Sequence, residues 1–216
     1  EGGWGKGEFY MLEEQNGRVV VEHGDTHRKV FVTGGDHGLT RQEIATREGL
    51  DVSKINGAWL AKNGQYGASE EMALSSDAGA MLWNTLTANK TSSHWLLLER
   101  GHEYDGMGRL ISRGTNGESE LNPVFIGAYG AGERPVVNSQ IQLYQNDSFN
   151  VVVQDIATSK GFMALEGGNV LLDNMAFNKV GLNVQNVEKF TFHNSSIVDV
   201  YKDAPVNNTA LWEPHI

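Results

Sequence analysis

The segment "NVLLDNMAFN" (residues 169–178) decides the fold that this sequence predicts, because its pattern occurs three times in succession. The segment "NVVVQDIATS" (150–159) comes before it, and "FTFHNSSIVD" (190–199) comes after it. Each segment contains a short apolar run that ends in Asp or Asn. The aligned runs repeat at intervals of 19 and 20 residues. A repeat of this length indicates a series of similar structural units.

The repeated runs have the alternation of β-strands, in which successive side chains point to opposite faces. One face is apolar and ends in polar residues. Its apolar positions are Val151, Val153, Val170, Leu172, Phe190 and Phe192, and its polar positions are Asp155, Asn174 and Asn194. Stacked Asn and Asp side chains bond to the neighbouring unit, each bond contributing about 1 kcal/mol. The period predicts a solenoid of parallel strands, and an antiparallel sandwich with evenly spaced strands is the alternative.

The chain before the repeats mixes strand and helix patterns. Residues 8–33 predict strands, two of them joined by a turn at "QNG", and residues 39–60 predict two short helices that separate at Gly49. Residues 69–88 predict one amphipathic helix. The candidates for its buried face are Met72, Ala73, Leu82 and Leu86. From residue 94 onward, short apolar runs alternate with Gly, Asn and Asp, and no further helix is predicted.

Two blocks of sequence carry a family resemblance. The blocks "HWLLLERGHEYDG" (94–106) and "SRGTNGESELNPVFIGAYGAGERPVV" (112–137) resemble the opening coils of bacterial right-handed parallel β-helix proteins of the pectin-lyase-like superfamily. The stretch "AYGAGERPVV" (128–137) is the most specific part. The resemblance covers residues 69–199, about 60 per cent of the chain. It implies a mainly β fold, a right-handed solenoid of about 20 residues per coil with an N-terminal capping helix.

The resemblance also implies a division of the chain and a range of functions. Residues 1–66 would form a mixed α/β segment, and residues 67–216 the cap and first coils of a β-helix that continues beyond this chain. The superfamily includes polysaccharide lyases, glycoside hydrolases and uronate epimerases, together with phage tailspikes and adhesins. The "DPH" motif of alginate epimerases is absent, since "WEPHI" (212–216) carries Glu213 in place of the Asp. The final residues also supply no evident cap for the open strand edges.

The charge of the chain limits the classes of partner that it can bind. The net charge is −10, from 17 basic and 27 acidic residues without a Lys/Arg-rich run, which argues against a nucleic-acid partner. The chain has no cysteine, and its apolar runs are too short for a membrane span. We expect an extracellular or cell-surface protein of bacterial or phage origin, a lyase or glycoside hydrolase acting on an acidic polysaccharide. Ca²⁺ would help bring the anionic polymer to the acidic chain.

A second function and two assemblies remain open. The alternative to an enzyme is a non-enzymatic rod of a tailspike, adhesin or surface-binding module. A rod of phage origin would associate as a homotrimer. A second fragment of the same polypeptide is the other candidate partner, for the enzyme as well as for the rod.

Three polar residues share the outward face of the repeated strands. Gln154, Asp173 and His193 form one column, in neighbouring units about 4.8 Å apart. A carboxylate beside an imidazole can act as a base, so we predict that Asp173 and His193 are catalytic and that Gln154 binds substrate. The alternative is a solvated surface pair.

A lyase also needs a cation to stabilise the carboxylate of a uronate. Lys202 is predicted for a catalytic role of this kind, from a turn near the same units. Three further residues are predicted to bind substrate: Lys179, Asp199 and Tyr201. Plain surface charge is the alternative for the charged members of this set.

Two other groups of residues have a binding interpretation. The first could stack on sugar rings, or else pack in the core, and contains Tyr144, Tyr201 and Trp212. The second is a histidine-dense stretch containing His23, Asp25, His27, Asp36 and His37. Imidazole and carboxylate suit zinc, but the spacing matches no closed pattern, and a solvated loop is the alternative.

The segment 39–58 has a possible reading as a helix-turn-helix. In "QEIATREGLDVSKINGA" (42–58), Ala45, Gly49 and Ile55 fall where that motif needs a small residue, a turn glycine and a core aliphatic. Residues 39–62 carry a net charge of only +1, which argues against DNA binding. A helical elbow is the alternative.

Overall fold

The computed structural model describes residues 14–15, 18–19, 21, 23, 27–139, 141–144 and 148–198. Three α-helices occur in these ranges: α1 (Arg41–Glu48), α2 (Gly57–Lys62) and α3 (Ser76–Thr87). Two short 3-10 helices lie at Val52–Lys54 and Glu70–Met72. No helix in the described ranges combines the length and apolarity that a bilayer crossing demands.

The strands form a small hairpin and two parallel sheets. The hairpin pairs β1 (Glu14–Gln15) with β2 (Arg18–Val19). The strands of the larger sheet are β3 (Lys29–Thr33), β4 (Leu74–Ser75), β5 (Trp95–Glu99), β7 (Val124–Tyr129), β9 (Ile141–Tyr144), β10 (Phe149–Gln154), β12 (Phe162–Asp173) and β14 (Leu182–His193). The smaller sheet contains β6 (Glu103–Tyr104), β8 (Val136–Val137), β11 (Ala157–Thr158), β13 (Ala176–Asn178) and β15 (Ser196–Val198).

The strand order places the repeated segments side by side. The larger sheet runs β14-β12-β10-β7-β5-β3-β4, with β9 pairing to β12, and the smaller sheet runs β15-β13-β11-β8-β6. Val151 lies opposite Val170, and Val170 lies opposite Phe190, in the register that the sequence alignment predicted. The alignment of the three runs is therefore confirmed at the level of strand pairing.

The predicted fold class is wrong. The described chain is an α/β structure with two parallel sheets and three helices, and it is not a single right-handed β-helix solenoid. In the larger sheet the interval of 19 or 20 residues holds only among β10, β12 and β14, and in the smaller sheet it holds among β11, β13 and β15. Earlier strands of the same sheet have much wider spacings, since Lys29 lies opposite Trp95, and Trp95 lies opposite Phe125. Helices and long connections fill these intervals, so a constant period does not generate the fold.

The helices contribute to the same core as the strands, and for this reason the fold is α/β and not a solenoid of strands alone. Ile44, Leu60 and Leu82, one from each helix, are fully buried in a cluster that also contains core residues of both sheets. Gly79 of α3 brings the helix against β3, since a Cβ at that position would lie 2.4 Å from a methyl group of Val32. The helices are thus integral to the fold.

The sequence located the end of the first helix correctly and misplaced the third helix. Thr40 caps α1 in a reciprocal bond with Glu43, and Gly49 ends that helix in the left-handed region, with φ of 66°. The predicted helix over 69–88 begins only at Ser76, because a 3-10 turn and β4 occupy the preceding residues. Two of its predicted buried residues, Met72 and Ala73, therefore lie outside it.

A second apolar cluster covers the opposite face of the larger sheet. Leu97, Phe125, Val152 and Leu171 form its buried part. Val152 and Leu171 share the outward parity of Gln154 and Asp173 along their strands, and both are fully buried. The outward face is therefore not a solvated surface at these strands.

Candidate functional site

The predicted column of polar residues forms a contact network at the carboxyl ends of three adjacent strands. Gln154 ends β10, Asp173 ends β12 and His193 ends β14, and the three positions are in register. Asp173 Oδ1 lies 2.7 Å from His193 Nδ1, and Asp173 Oδ2 accepts a hydrogen bond of 2.7 Å from Gln154 Nε2. Parallel pairing brings these side chains together because every strand end points to the same edge of the sheet.

The burial of this network differs from that of the solvated surface pair, which was the alternative to a functional pair. Asp173 is 0 % exposed, whereas the His193 side chain is 21 % exposed. A buried carboxylate requires polar partners, and the imidazole and the amide supply them. The solvated alternative is therefore wrong for Asp173.

The hydrogen bonds also assign the imidazole tautomer. An ionised carboxylate can only accept hydrogen bonds, so the His193 nitrogen that faces Asp173 carries a proton. In the neutral ring this leaves the lone pair on Nε2. A carboxylate that orients an imidazole in this way is the arrangement used by general bases.

The inward polar residues next to this network form a second set of contacts. Asn174 Nδ2 donates to Asp155 Oδ1, as the predicted stack requires. Two arginines extend the set: Arg100 Nη2 lies 2.6 Å from Asp155 Oδ2, and Arg134 Nη2 donates to Asn174 Oδ1 at 2.5 Å. The third predicted member, Asn194, is exposed. The stack is therefore confirmed for two members and reinforced by cations that sequence reasoning missed.

The remaining predicted site residues divide into one that is described and several that are not. Lys179 is exposed in the turn after β13, and its backbone N–H donates to Val198 O at 2.9 Å. It follows a strand of the smaller sheet, whereas Asp173 and His193 end strands of the larger one. The others lie outside the described residues or have side chains that are not described: Tyr144, Asp199, Tyr201, Lys202, Trp212 and Glu213. Their predicted roles stay predictions.

The chain matches no protein-family model, no curated protein and no solved structure. The resemblance to the pectin-lyase-like superfamily therefore stays a prediction, and the function must be argued from the geometry.

The predicted histidine patch is divided between two places. His23 and His27 lie with their ring centroids 6.5 Å apart, and His23 also contacts Trp95 at 5.1 Å. His37 instead contacts Glu99, with its Nε2 3.0 Å from Oε2. Within the described ranges, no group of three or more His, Cys, Asp or Glu side chains is arranged to hold a metal ion. The zinc interpretation thus gains no support from these residues.

A cluster around Glu99 was not predicted from the sequence. The carboxylate accepts a hydrogen bond from Thr33 Oγ1, and its Oε2 lies 3.5 Å from His102 Nε2 as well as close to His37. Burial raises the pKa of the nearby Tyr129 hydroxyl, and the charge of Glu99 adds to that effect. Thr33 and Glu99 are 66 residues apart, so no local pattern could have joined them.

His94 is a half-buried neutral imidazole near the other histidines. Its Nδ1 accepts a hydrogen bond of 2.9 Å from the backbone N–H of Arg28. Burial lowers the pKa of His94 from 6.5 to about 4, and the neighbouring His27 and Arg28 add to the effect. The ring therefore has a structural role at neutral pH, as an acceptor that holds β3 beside β5.

The segment 39–58 forms a helical elbow. Arg41 donates from Nε to Ile55 O at 2.6 Å and from Nη2 to Val52 O at 3.2 Å, so its charge is directed to the elbow itself. α2 has only six residues and lies against α3, since a Cβ on Gly57 would overlap Thr85. A helix of this length offers little surface to a DNA groove, and DNA binding stays an untested alternative.

Proposed function

We propose that the protein cleaves an acidic polysaccharide by β-elimination, with His193 as the base and Asp173 as the residue that orients it. The observation that carries the proposal is the 2.7 Å contact between His193 Nδ1 and the buried Asp173 carboxylate. Gln154 supports it by binding the second carboxylate oxygen. The wider function, a carbohydrate-active protein outside the cell or on its surface, is part of the same proposal.

The proposed reaction needs one base and one proton donor, and His193 serves as both. His193 Nε2 removes the C5 proton of a uronate residue, and the electrons of that C–H bond form a double bond between C4 and C5. The C4–O bond breaks with its electron pair going to oxygen, and the leaving oxygen takes the proton from the His193 imidazolium. Asp173 stabilises the imidazolium that exists between the two proton transfers.

The geometry favours a lyase over a glycoside hydrolase. Hydrolysis requires two carboxyl groups about 5 to 9 Å apart that both reach the glycosidic bond. Asp173 is fully buried behind His193, and Asp155 is bound by Arg100 and Asn174, so neither is placed for that role. A single base is sufficient for elimination.

The substrate carboxylate must be stabilised by positive charge during proton removal. Lys202 and Ca²⁺ are the predicted sources of this charge. An anionic polymer would in any case approach a chain of net charge −10, which makes a cation requirement physically reasonable.

The test is an assay for unsaturated uronate products. Pectate, alginate and hyaluronan would be incubated with the protein, with and without Ca²⁺, while the ultraviolet absorbance of the new double bond is followed. We expect cleavage of one polymer, and a loss of about 100-fold or more in His193→Gln and Asp173→Asn. His102→Gln removes another imidazole beside a carboxylate and should retain full activity. Full activity in folded His193→Gln would refute the assignment of the base.

A second candidate is a binding protein without catalysis. It is favoured by one observation, the aromatic ring of Phe149, which is 43 % exposed beside polar side chains. An exposed aromatic face suits a sugar ring. If the protein binds a polysaccharide without shortening it, and His193→Gln binds equally well, this candidate replaces the lyase.

A further inference from the structure

A cavity of about 290 Å³ lies along the strands that carry Asp173 and His193, at Asn169 and Lys189, which precede those two residues by four positions. Its volume is near the lower end of the roughly 300–1,000 Å³ that small-molecule sites occupy. The lining combines one aromatic ring with amide, carboxylate and ammonium groups: Glu120, Phe149, Asn150, Asn169, Glu188 and Lys189. Such a combination can recognise a ligand that has both an apolar face and hydroxyl groups.

The amide orientations in this cavity are fixed by a chain of hydrogen bonds. Asn150 Nδ2 donates to Gly117 O at 3.2 Å, and because a carbonyl can only accept, this bond leaves Asn150 Oδ1 as an acceptor. Asn169 Nδ2 donates to that oxygen at 2.5 Å. The Oδ1 of Asn169 is thus an acceptor as well.

Asn169 Oδ1 has no hydrogen-bond partner in the described part of the chain, and the residue is only 6 % exposed. A buried acceptor without a donor costs about 1 to 3 kcal/mol. Native proteins contain few such groups, and a ligand is one of the accepted reasons for them. The cavity therefore lacks a donor, which a hydroxyl group would supply.

The Phe149 ring is held in place by a glycine on the next strand. Phe149 lies opposite Gly168, and a Cβ on Gly168 would be 2.9 Å from the ring. Only glycine lets the ring lie over the neighbouring strand while the rest of the ring stays exposed.

The charges of the cavity favour a neutral ligand. Glu120 and Glu188 supply two negative charges, and Lys189 supplies one positive charge. Lys189 Nζ lies 3.4 Å from Glu120 Oε1, which neutralises part of its charge. A uronate carboxylate would meet a site of net negative charge.

From these features we infer that the cavity is a subsite for a neutral pyranose residue. The C–H face of the sugar lies on Phe149, and one hydroxyl donates to Asn169 Oδ1. Further hydroxyls bond to Glu120, Glu188 and Lys189. The inference adds a binding subsite to the proposed carbohydrate function. It rests on that function only for the assignment of the ligand as a sugar.

The position of the subsite adds a specificity. Asn169 and Asp173 are four residues apart on β12, which corresponds to about 13 Å at the rise of a β-strand. The same separation holds for Lys189 and His193 on β14. A polymer that occupied both places would carry a neutral residue a short distance from the uronate that is cleaved, so the substrate would be a mixed polysaccharide.

The test is a binding experiment that does not depend on cleavage. Maltotriose, cellotriose, mannotriose and galactotriose would be titrated into the ¹⁵N-labelled protein, with trigalacturonate as the charged comparison. We expect a neutral trisaccharide to shift the side-chain amide signals of Asn169 and Asn150 and to bind more tightly than trigalacturonate.

Two variants assign the binding to this cavity. Phe149→Leu keeps an apolar contact with Gly168 but loses the flat ring, and should weaken binding by about tenfold. Lys189→Asn supplies an amide donor for Asn169 Oδ1 at a residue with φ of 60°, a conformation that suits Asn. It should abolish binding while raising the melting temperature by about 2 to 4 °C.

The outcomes separate this inference from the proposed lyase. His193→Gln should bind the trisaccharide as the natural protein does, although cleavage is lost. Cleavage of a polymer without any trisaccharide shift at Asn169 would overturn the subsite and leave the lyase standing. Trisaccharide binding at Asn169 without cleavage of any polymer would support the subsite and overturn the lyase. Tighter binding of trigalacturonate, or unchanged binding in Lys189→Asn, would overturn the subsite as well.

Discussion

Replacing Asn174 by Ala should destabilise the protein by about 2 to 5 kcal/mol, from two separate contributions. The side chain donates to Asp155 and accepts from Arg134, so its loss removes a partner from a nearly buried carboxylate and from a guanidinium. Leaving such groups without that partner costs about 1 to 3 kcal/mol. Asn174 also has φ of 51°, a conformation that costs most side chains a further 1 to 2 kcal/mol or so.

Two companion variants separate these contributions. Asn174→Gly removes the amide but accepts the positive φ, so it should lose only the first part. Asn174→Asp keeps the shape but replaces the donor that faces Asp155 by a second carboxylate, and should be at least as destabilising as Ala near neutral pH. Urea unfolding followed by tryptophan fluorescence measures all three changes.

One result would refute this reasoning. If Asn174→Ala and Asn174→Gly both lie within about 0.5 kcal/mol of the natural protein, the amide makes no net contribution of the kind that buried hydrogen bonds provide. If Asn174→Gly is as stable as the natural protein and Asn174→Ala is less stable, the contribution of Asn174 to stability comes from its backbone conformation alone.

Further predictions concern His94 and Gly79. The folded pKa of His94, about 4, lies below the ordinary 6.5, so the unfolded chain binds more protons between these values and stability should fall as the pH drops from 6.5 to 4. Since part of the ring is exposed, we expect the free energy of unfolding to fall by about 1 to 2 kcal/mol over this pH range. The control is His94→Asn, which keeps an acceptor for the Arg28 backbone N–H but does not titrate. Parallel curves of stability against pH for the two proteins would contradict this prediction. Gly79→Ala should lower the free energy of unfolding in urea by about 1 to 3 kcal/mol, because the added Cβ overlaps Val32. Gly64 has open space around it, so Gly64→Ala should change stability little. Equal effects of the two substitutions would argue against the close packing of α3.

Local patterns predicted the strand pairing and the central contact of the candidate site. Alternation along a strand and the intervals of 19 and 20 residues were sufficient to place Gln154, Asp173 and His193 in adjacent positions, because parallel strands keep their register over such short distances. Helix caps are also local, which explains why the end of α1 at Gly49 was predicted correctly.

The fold class could not be obtained from the same patterns. Three similar units say nothing about the strands that pair beyond them, and β3, β5 and β7 join the sheet through connections of different length. Alternation identifies the two faces of a strand but not what covers each face. Val152 and Leu171 share the outward parity of Gln154 and Asp173, and both are fully buried.

The same limit explains the site residues that were missed. Arg100 and Asp155 are 55 residues apart, and Thr33 and Glu99 are 66 residues apart, so their contacts depend on the complete fold. Lys189 is different, because the aligned segments place it beside Asn150 and Asn169. All three residues have φ near 60°. The two earlier repeats have asparagine at the equivalent position, so the lysine at 189 is a departure from the repeat that the sequence alone makes visible.

This departure connects the structure with the proposed function. An asparagine at position 189 would continue the hydrogen-bonded series, satisfy Asn169 and suit the backbone better than lysine does. Stability alone would therefore favour asparagine, and the lysine leaves both an unpaired acceptor and an open cavity. Natural proteins most often break a local rule where function requires it. The cavity at Lys189 and the network at His193 lie on the same strands, so one polymer could contact both, and the break in the repeat is where its recognition is expected.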